Sequence, residues 1–193
     1  MTRPTLRYRL RRKARILAGR VRVRWLAATA EGVTLGRGVH VSPGVDVLVH
    51  PGGRLIIEDN CFLSHGVVLH VHPGAVLHIG PDVFVGHHAV LMSARSVRVG
   101  RGSALAEGVS VRDHDHVLGL PPGEGGHVVE TVDIGEEVWL AAKVSVVKGS
   151  RIGARAAVGA GAVVSGEIPP CTLAVGVPAR PIRDIRNSGF DKA

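Results

Sequence analysis

The chain has 193 residues, 45% of them hydrophobic, yet it holds only three Phe, two Trp and one Tyr against 32 Val and 26 Gly. That length and hydrophobicity suit one domain with a real core and exclude a disordered chain, and a core so poor in rings must be filled by β-branched side chains, which favours strands. The net charge of +8 is confined to one end: residues 1–30 carry nine Arg, one Lys and no acid (+10), and residues 31–193 carry 14 basic and 16 acidic side chains (−2), so the body is not a nucleic-acid-binding one. No run of about 18 apolar residues predicts a membrane span. The basic N-terminus also lacks the apolar stretch of about 7–15 residues that a secretory signal needs. Cys61 and Cys171 make no disulfide framework, and reduced thiols in a cytoplasmic protein are expected.

Residues 1–30 read as a basic N-terminal arm, helical in pattern. Leu6, Leu10, Ile16, Leu17 and Val21 alternate with Arg. Such a helix can present Arg to anionic lipid headgroups through residues 1–25, placing the protein at the inner face of the membrane. It can equally cap the open end of the repeating body that begins near residue 31. With only Tyr8 and Trp25 to stack on bases, RNA binding is not favoured.

Residues 31–111 repeat. Val49-His50-Pro51-Gly52 returns 22 residues later as Val71-His72-Pro73-Gly74, and Leu35, Ile57 and Ile79 keep the same step. Within each phrase runs a beat of six, as in Val85–Leu91 and Leu105–Val111. A period of six means a short strand and a corner, three such sides closing one coil. The aliphatic residue points inward, a small residue four positions on fills the corner, and neighbouring Gly allows tight turns. Coils of this kind stack into a solenoid. A β-sandwich would instead show turn signals every 8–12 residues or so.

The beat stops at Val111. Residues 112–131 form an excursion that opens with Arg112-Asp113-His114-Asp115-His116 and continues through four Gly and two Pro between Val117 and Glu130. A break in an otherwise regular solenoid is where function is expected. Two His flanked by Asp suit a proton acceptor whose tautomer a carboxylate fixes, so His114, His116 and Asp113 are the candidate catalytic residues. Elsewhere His65 and His87 each stand two residues beyond an inward aliphatic. On stacked coils they would form a column continued by Glu107, either lining an acceptor cleft or making a polar ladder; His50 and His72 form a second such pair.

Residues 132–169 resume the beat at Ile134, Leu140, Val146, Ile152, Val158 and Val164, and 170–193 form a tail. The stretch from Ile134-Gly135-Glu136-Glu137-Val138-Trp139 through Val158-Gly159-Ala160-Gly161, Ile168-Pro169-Pro170 and Ala174-Val175-Gly176-Val177-Pro178-Ala179-Arg180 resembles the C-terminal half of hexapeptide-repeat O-acyltransferases. The resemblance spans about residues 33–186. It implies an all-β fold, a left-handed parallel β-helix, with a C-terminal tail or helix and assembly as a homotrimer with active sites between subunits.

The resemblance also implies a chemistry. A His five residues beyond the last inward aliphatic acts as general base in that family, which here is His116. The co-substrate would be acetyl-coenzyme A and the acceptor a saccharide-like hydroxyl. A backbone N–H near Ala142 would steady the oxyanion. Trp139, Ala142, Ala160 and Ser165 match positions along the pantetheine groove, and Arg180 and Arg183 would meet the nucleotide phosphates, to which the planar guanidinium fork is suited. Arg186 continues their three-residue spacing on one face of a helix, if one forms. The maltose and galactoside branch carries Asn and Asp where this chain has Gly86 and Ser93, so a simple galactoside is not the expected acceptor. A serine or amino-sugar N-acyltransferase, and a zinc-binding relative of γ-type carbonic anhydrases, share the architecture; a straight column of His suits zinc poorly, and no metal is expected.

Overall fold

A computed structural model describes residues 19, 21–22, 31–119 and 126–186. The inward aliphatic residues wind the chain into a parallel β-solenoid of about six turns with three faces, and the sheet pattern fits the left-handed β-helix. Face one contains Val33–Leu35, Arg54–Ile57, Val76–Ile79, Ser96–Val99, Val132–Ile134, Arg151–Ile152 and Glu167–Ile168. Face two contains His40–Val41, Phe62–Leu63, Phe84–Val85, Ala104–Leu105, Trp139–Leu140, Ala157–Val158 and Thr172–Val175. Face three contains Asp46–Val49, Val68–Val71, Val90–Ser93, Ser110–Arg112, Ser145–Val146 and Val163–Val164. The first corner joins face one to face two, the second joins two to three, and the third leads from three to the next coil.

Register shows why the repeat reads unevenly. Leu55 lies on Leu77, 22 residues on, whereas Ile134 lies on Ile152, only 18 on. The early coils carry four-residue strands on faces one and three; the later ones carry two-residue strands there. Every second side chain of a strand enters the core, so Leu55, Leu77, Leu69, Leu91, Ile134, Leu140 and Val158 are all at 3% exposure or less. Cys61, Val67, Val83, Ala89, Ser103, Val109, Val138, Val144, Ala156 and Ala162 are buried as the corner fillers the beat of six predicts. Among the described residues no aromatic ring enters this core. Phe62, Phe84 and Trp139 stand instead on the outside of face two, between 39% and 47% exposed.

The glycines divide into two roles. Those beside the inward aliphatics serve close packing rather than a special turn: a Cβ on Gly153 would meet the Pro170 nitrogen at 2.4 Å, and one on Gly100 would meet Gly135 at 2.5 Å. The left-handed backbone falls elsewhere in the corners, at Gly38, Asn60, Asp82, Gly102, Glu137, Arg155 and Cys171 in successive turns of the first corner.

Both ends of face two are covered. At the start, Gly19, Val21 and Arg22 are helical, and an Arg22 guanidinium nitrogen donates to the Val41 carbonyl at 3.3 Å. The rest of the arm, including the proposed membrane-contacting segment, lies outside the described residues. At the other end Arg180–Asp184 is a strand, not a helix, and pairs antiparallel with Thr172–Val175. Its edge position accommodates Pro181, which has no N–H to give to a ladder. No helix among the described residues is long and apolar enough to cross a membrane.

Candidate active site

The excursion leaves the solenoid at the third corner and returns as a β-hairpin. His114–His116 pairs antiparallel with His127–Val129, His114 opposite Val129 and His116 opposite His127. Period-two alternation puts His114, His116 and His127 on one side of the hairpin and Asp115 and Val128 on the other. The Glu130 N–H closes its base on the Asp113 carbonyl at 2.9 Å, and the tip, residues 120–125, is outside the described part.

Asp113 anchors this hairpin. Its side chain is fully buried. Oδ1 accepts from the Ala94 N–H at 2.7 Å and from His114 Nδ1 at 3.0 Å. Oδ2 accepts from the N–H groups of Arg95 and Ser96, both at 2.7 Å, with the Ser93 hydroxyl at 3.1 Å. Burial by itself would raise this carboxyl's pKa. The donors from Ala94, His114, Arg95 and Ser96 outweigh it and hold Asp113 below the usual carboxylate range. Asp113 is therefore an anion, and His114 Nδ1 must carry the proton that bonds to it. The lone pair of neutral His114 then lies on Nε2, turned away from the carboxylate. His116 has no such partner: it is exposed and meets His127 ring to ring, centroids 5.0 Å apart.

More imidazoles surround the dyad than the repeat signalled. The hairpin folds over the corner turns of the early coils, and His72 meets His114 at 5.0 Å and His127 at 5.5 Å. His70 stacks on His72 at 4.7 Å, and its Nε2 lies 3.0 Å from His50 Nε2. His50 and His72 are visible as a pair 22 residues apart. His70 and His127 carry no signal of that kind: one is an outward strand residue and the other lies in the stretch without a beat. Burial, with repulsion from neighbouring imidazoles, lowers the pKa of His70, His72 and His127.

The remaining candidates lie apart from this centre within one chain. His65, His87 and Glu107 do form a column, but at the second corner, with face three between them and the hairpin. The column is laced by backbone bonds from His88 to His65, Gly108 to His87 and Lys143 to Glu107, and His65 Nδ1–H also donates to the Pro43 carbonyl at 2.6 Å. Ala142 and Ala160 continue that same column, Gly161 N–H bonding to the Ala142 carbonyl at 2.9 Å. Ser165 lies at the third corner, exposed. Trp139 faces outward on face two, in a cleft of about 290 Å³ shared with Glu137, Arg155, Ala157, Ile185 and Arg186. Arg180 and Arg183 are exposed on the terminal strand beyond it, and Arg186 is turned onto Asp184. No group of three or more His, Cys, Asp or Glu among the described residues is placed to hold a metal ion.

Fold and hairpin together are those of hexapeptide-repeat acyltransferases, and comparison with known proteins is consistent with that family. No family model matches the chain. It is 36% identical over 103 residues to WbbJ of Escherichia coli, a protein named for O-acetyl transfer in lipopolysaccharide biosynthesis, covering 48% of this chain and 53% of that one. The chain spans about half or less of the length of the curated relatives it matches. Its fold matches AntD, an N-acyltransferase from Bacillus cereus solved with dTDP and 3-hydroxybutyryl-CoA, with a TM-score of 0.75 at 18% identity over 88% of this chain and 91% of that one. It also matches a hexapeptide-repeat acetyltransferase from Vibrio cholerae complexed with acetyl coenzyme A, with a TM-score of 0.59 at 20% identity over 87% and 79%.

Proposed function

We propose that this protein transfers an acetyl group from acetyl-coenzyme A to a hydroxyl of a saccharide-like acceptor, with His114 rather than His116 as the general base. The observation that carries this reading is the bond from His114 Nδ1–H to a fully buried, fivefold-bonded Asp113 carboxylate. Nε2 of His114 takes the acceptor's proton as its oxygen attacks the thioester carbon. The tetrahedral intermediate then collapses, the carbon–sulfur bond breaks, and the imidazolium returns the proton to the departing thiolate. A base so placed contributes about 10²–10⁴-fold to the rate. Asp113 fixes the tautomer and steadies the imidazolium without itself taking a proton.

The same proposal includes assembly. The hairpin occupies the third corner and the Ala142–Ala160 column the second, so a complete site draws on a neighbouring copy, as in a homotrimer with sites between subunits. Trp139 would lie along the pantetheine arm, and Arg180 and Arg183 near the nucleotide phosphates. The test is acceptor-dependent release of free thiol from acetyl-coenzyme A across a panel of hydroxyl and amine acceptors, with the His114→Ala variant as the blank. Turnover with saccharide hydroxyls supports the reading. Turnover confined to amines would move it to N-acyl transfer, and none with any acceptor would end it.

A further inference from the structure

The acyl-transfer reading uses one imidazole and a carboxylate, yet six imidazoles are in mutual contact around them. His50, His70 and His72 project from the third corner and from face three of two successive coils, and the hairpin lays His114, His116 and His127 across them. A core role does not explain this, because His50, His70 and His72 are only half-buried and His127 is exposed.

The charge around them is lopsided. Asp113 is consumed by its donors. Asp115 and Glu130, on the hairpin, face Lys148 at 3.6 and 3.9 Å. Arg95, in the next turn along the corner, adds a further cation, and Asp46, near His70, is the remaining carboxylate of these elements. Between the Nε2 atoms of His50 and His70, 3.0 Å apart, there is room for one proton and not two. Rings arranged this way repel one another when protonated and have no counterion of their own. An oxyanion seated among them would supply it, turning repulsion into charge-assisted hydrogen bonds and drawing protons onto the rings.

We propose that His50, His70 and His72, with His127 folded over them, bind an anionic group carried by the acceptor, either a phosphate-like tetrahedral oxyanion or a carboxylate. That the anion belongs to an acceptor rests on the acyl-transfer reading; binding of the anion does not. The subsite adjoins His114, so an anion held there would place the acceptor's remaining hydroxyls against Nε2. It would also explain why this corner is rich in titratable donors, where a neutral sugar would be served as well by Asn or Ser.

The test is calorimetric titration of the full chain, without acyl donor, with sulfate and separately with acetate, at about pH 6 and about pH 7.5, where neither anion titrates but imidazole does. Sulfate stands for a phosphate group and acetate for a carboxylate, so the tighter of the two identifies the class. The expected result is binding at least about fivefold tighter at the lower pH, with proton uptake, because each proton taken up can change the affinity up to tenfold per pH unit. The Arg-rich N-terminal segment would bind sulfate equally at both, since guanidinium does not titrate in this range. The His70→Gln/His72→Gln double variant should lose the pH-dependent part. In the unsubstituted protein the ring resonances of His70 and His72 should move on adding the anion, a readout that does not depend on the variant folding. Affinity indifferent to pH, with unmoved ring resonances, overturns the proposal. If thiol release with neutral acceptors persists in that event, the acyl-transfer reading stands without this one.

Discussion

The early coils and the late coils follow one beat yet are built to different widths, and the difference falls where the chemistry is. Late coils, such as that from Ile134 to Ile152, take 18 residues and give each face two. Early coils take 22, and the added residues lengthen faces one and three. On face three this creates a further outward position, occupied in register by Leu48, His70 and Met92 and then by Arg112. The pairing of Ser110–Val111 with Ser145–Val146 stops short of it, so the late coils have no equivalent. The wide coils thus offer a shelf for His70 and the His50 and His72 turns, and the hairpin springs from the end of that shelf. The narrow coils keep small corners, Ala142 and Ala160, along which a long donor can lie. One half is suited to presenting side chains and the other to letting a ligand approach the backbone.

The largest effect on stability is expected where the two halves meet. Asp113→Leu strands the N–H groups of Ala94, Arg95 and Ser96 in a buried site, and should cost about 3–5 kcal/mol by chemical denaturation. A cost under about 1 kcal/mol would show that Asp113 does not anchor the junction. Next, Leu77→Ala in a wide coil should cost about 2–5 kcal/mol, and Val146→Ala in a narrow one roughly 1.6 kcal/mol, because fewer methyl groups leave a smaller hole. Equal losses would erase the distinction between the two cores. Smaller again is Gly153→Ala, at about 1–3 kcal/mol, since the Pro170 backbone must give way. Gly74→Ala meets nothing within 4 Å and should cost only the left-handed backbone, about 1 kcal/mol.

Acid should act through the same junction. Asp113 has its pKa depressed in the fold, so its stabilisation is present above the ordinary carboxylate range and is lost as pH falls through that range to the depressed value. His70, His72 and His127 act in the same sense at higher pH, because folded-state values below that of a free imidazole favour the neutral protein. Denaturation midpoints should therefore fall as pH drops below the free imidazole value, and again below the carboxylate range. The Asp113→Asn variant should lose the second decline. Two declines in that variant would place the acid sensitivity elsewhere.

Much of the architecture was legible in the sequence because a solenoid writes its geometry at fixed intervals. Ile134, Leu140, Val146, Ile152, Val158 and Val164 announce their own burial, and Cys61 and Ser103 declare themselves corner fillers by spacing alone. The excursion was visible as a gap in that rhythm. What the rhythm could not encode was contact made across it. Asp113 and Asp115 look alike beside their histidines, and only the N–H groups of the preceding coil's turn decide which one is buried. Counting onward from Val111 favours His116, yet the carboxylate selects His114. His127 joins the cluster through antiparallel pairing, which has no period to read. Three Arg spaced by three suggest a helix, but from Arg180 to Asp184 the chain pairs with the last strand of face two.

The most direct measurement compares His114→Ala with His116→Ala in acceptor-dependent release of thiol from acetyl-coenzyme A, both variants having first been shown to melt as the parent does. The account predicts a fall of about 10²–10⁴-fold for His114→Ala and less than about tenfold for His116→Ala. Turnover by His114→Ala at the parent rate, or the larger fall in His116→Ala, would contradict it.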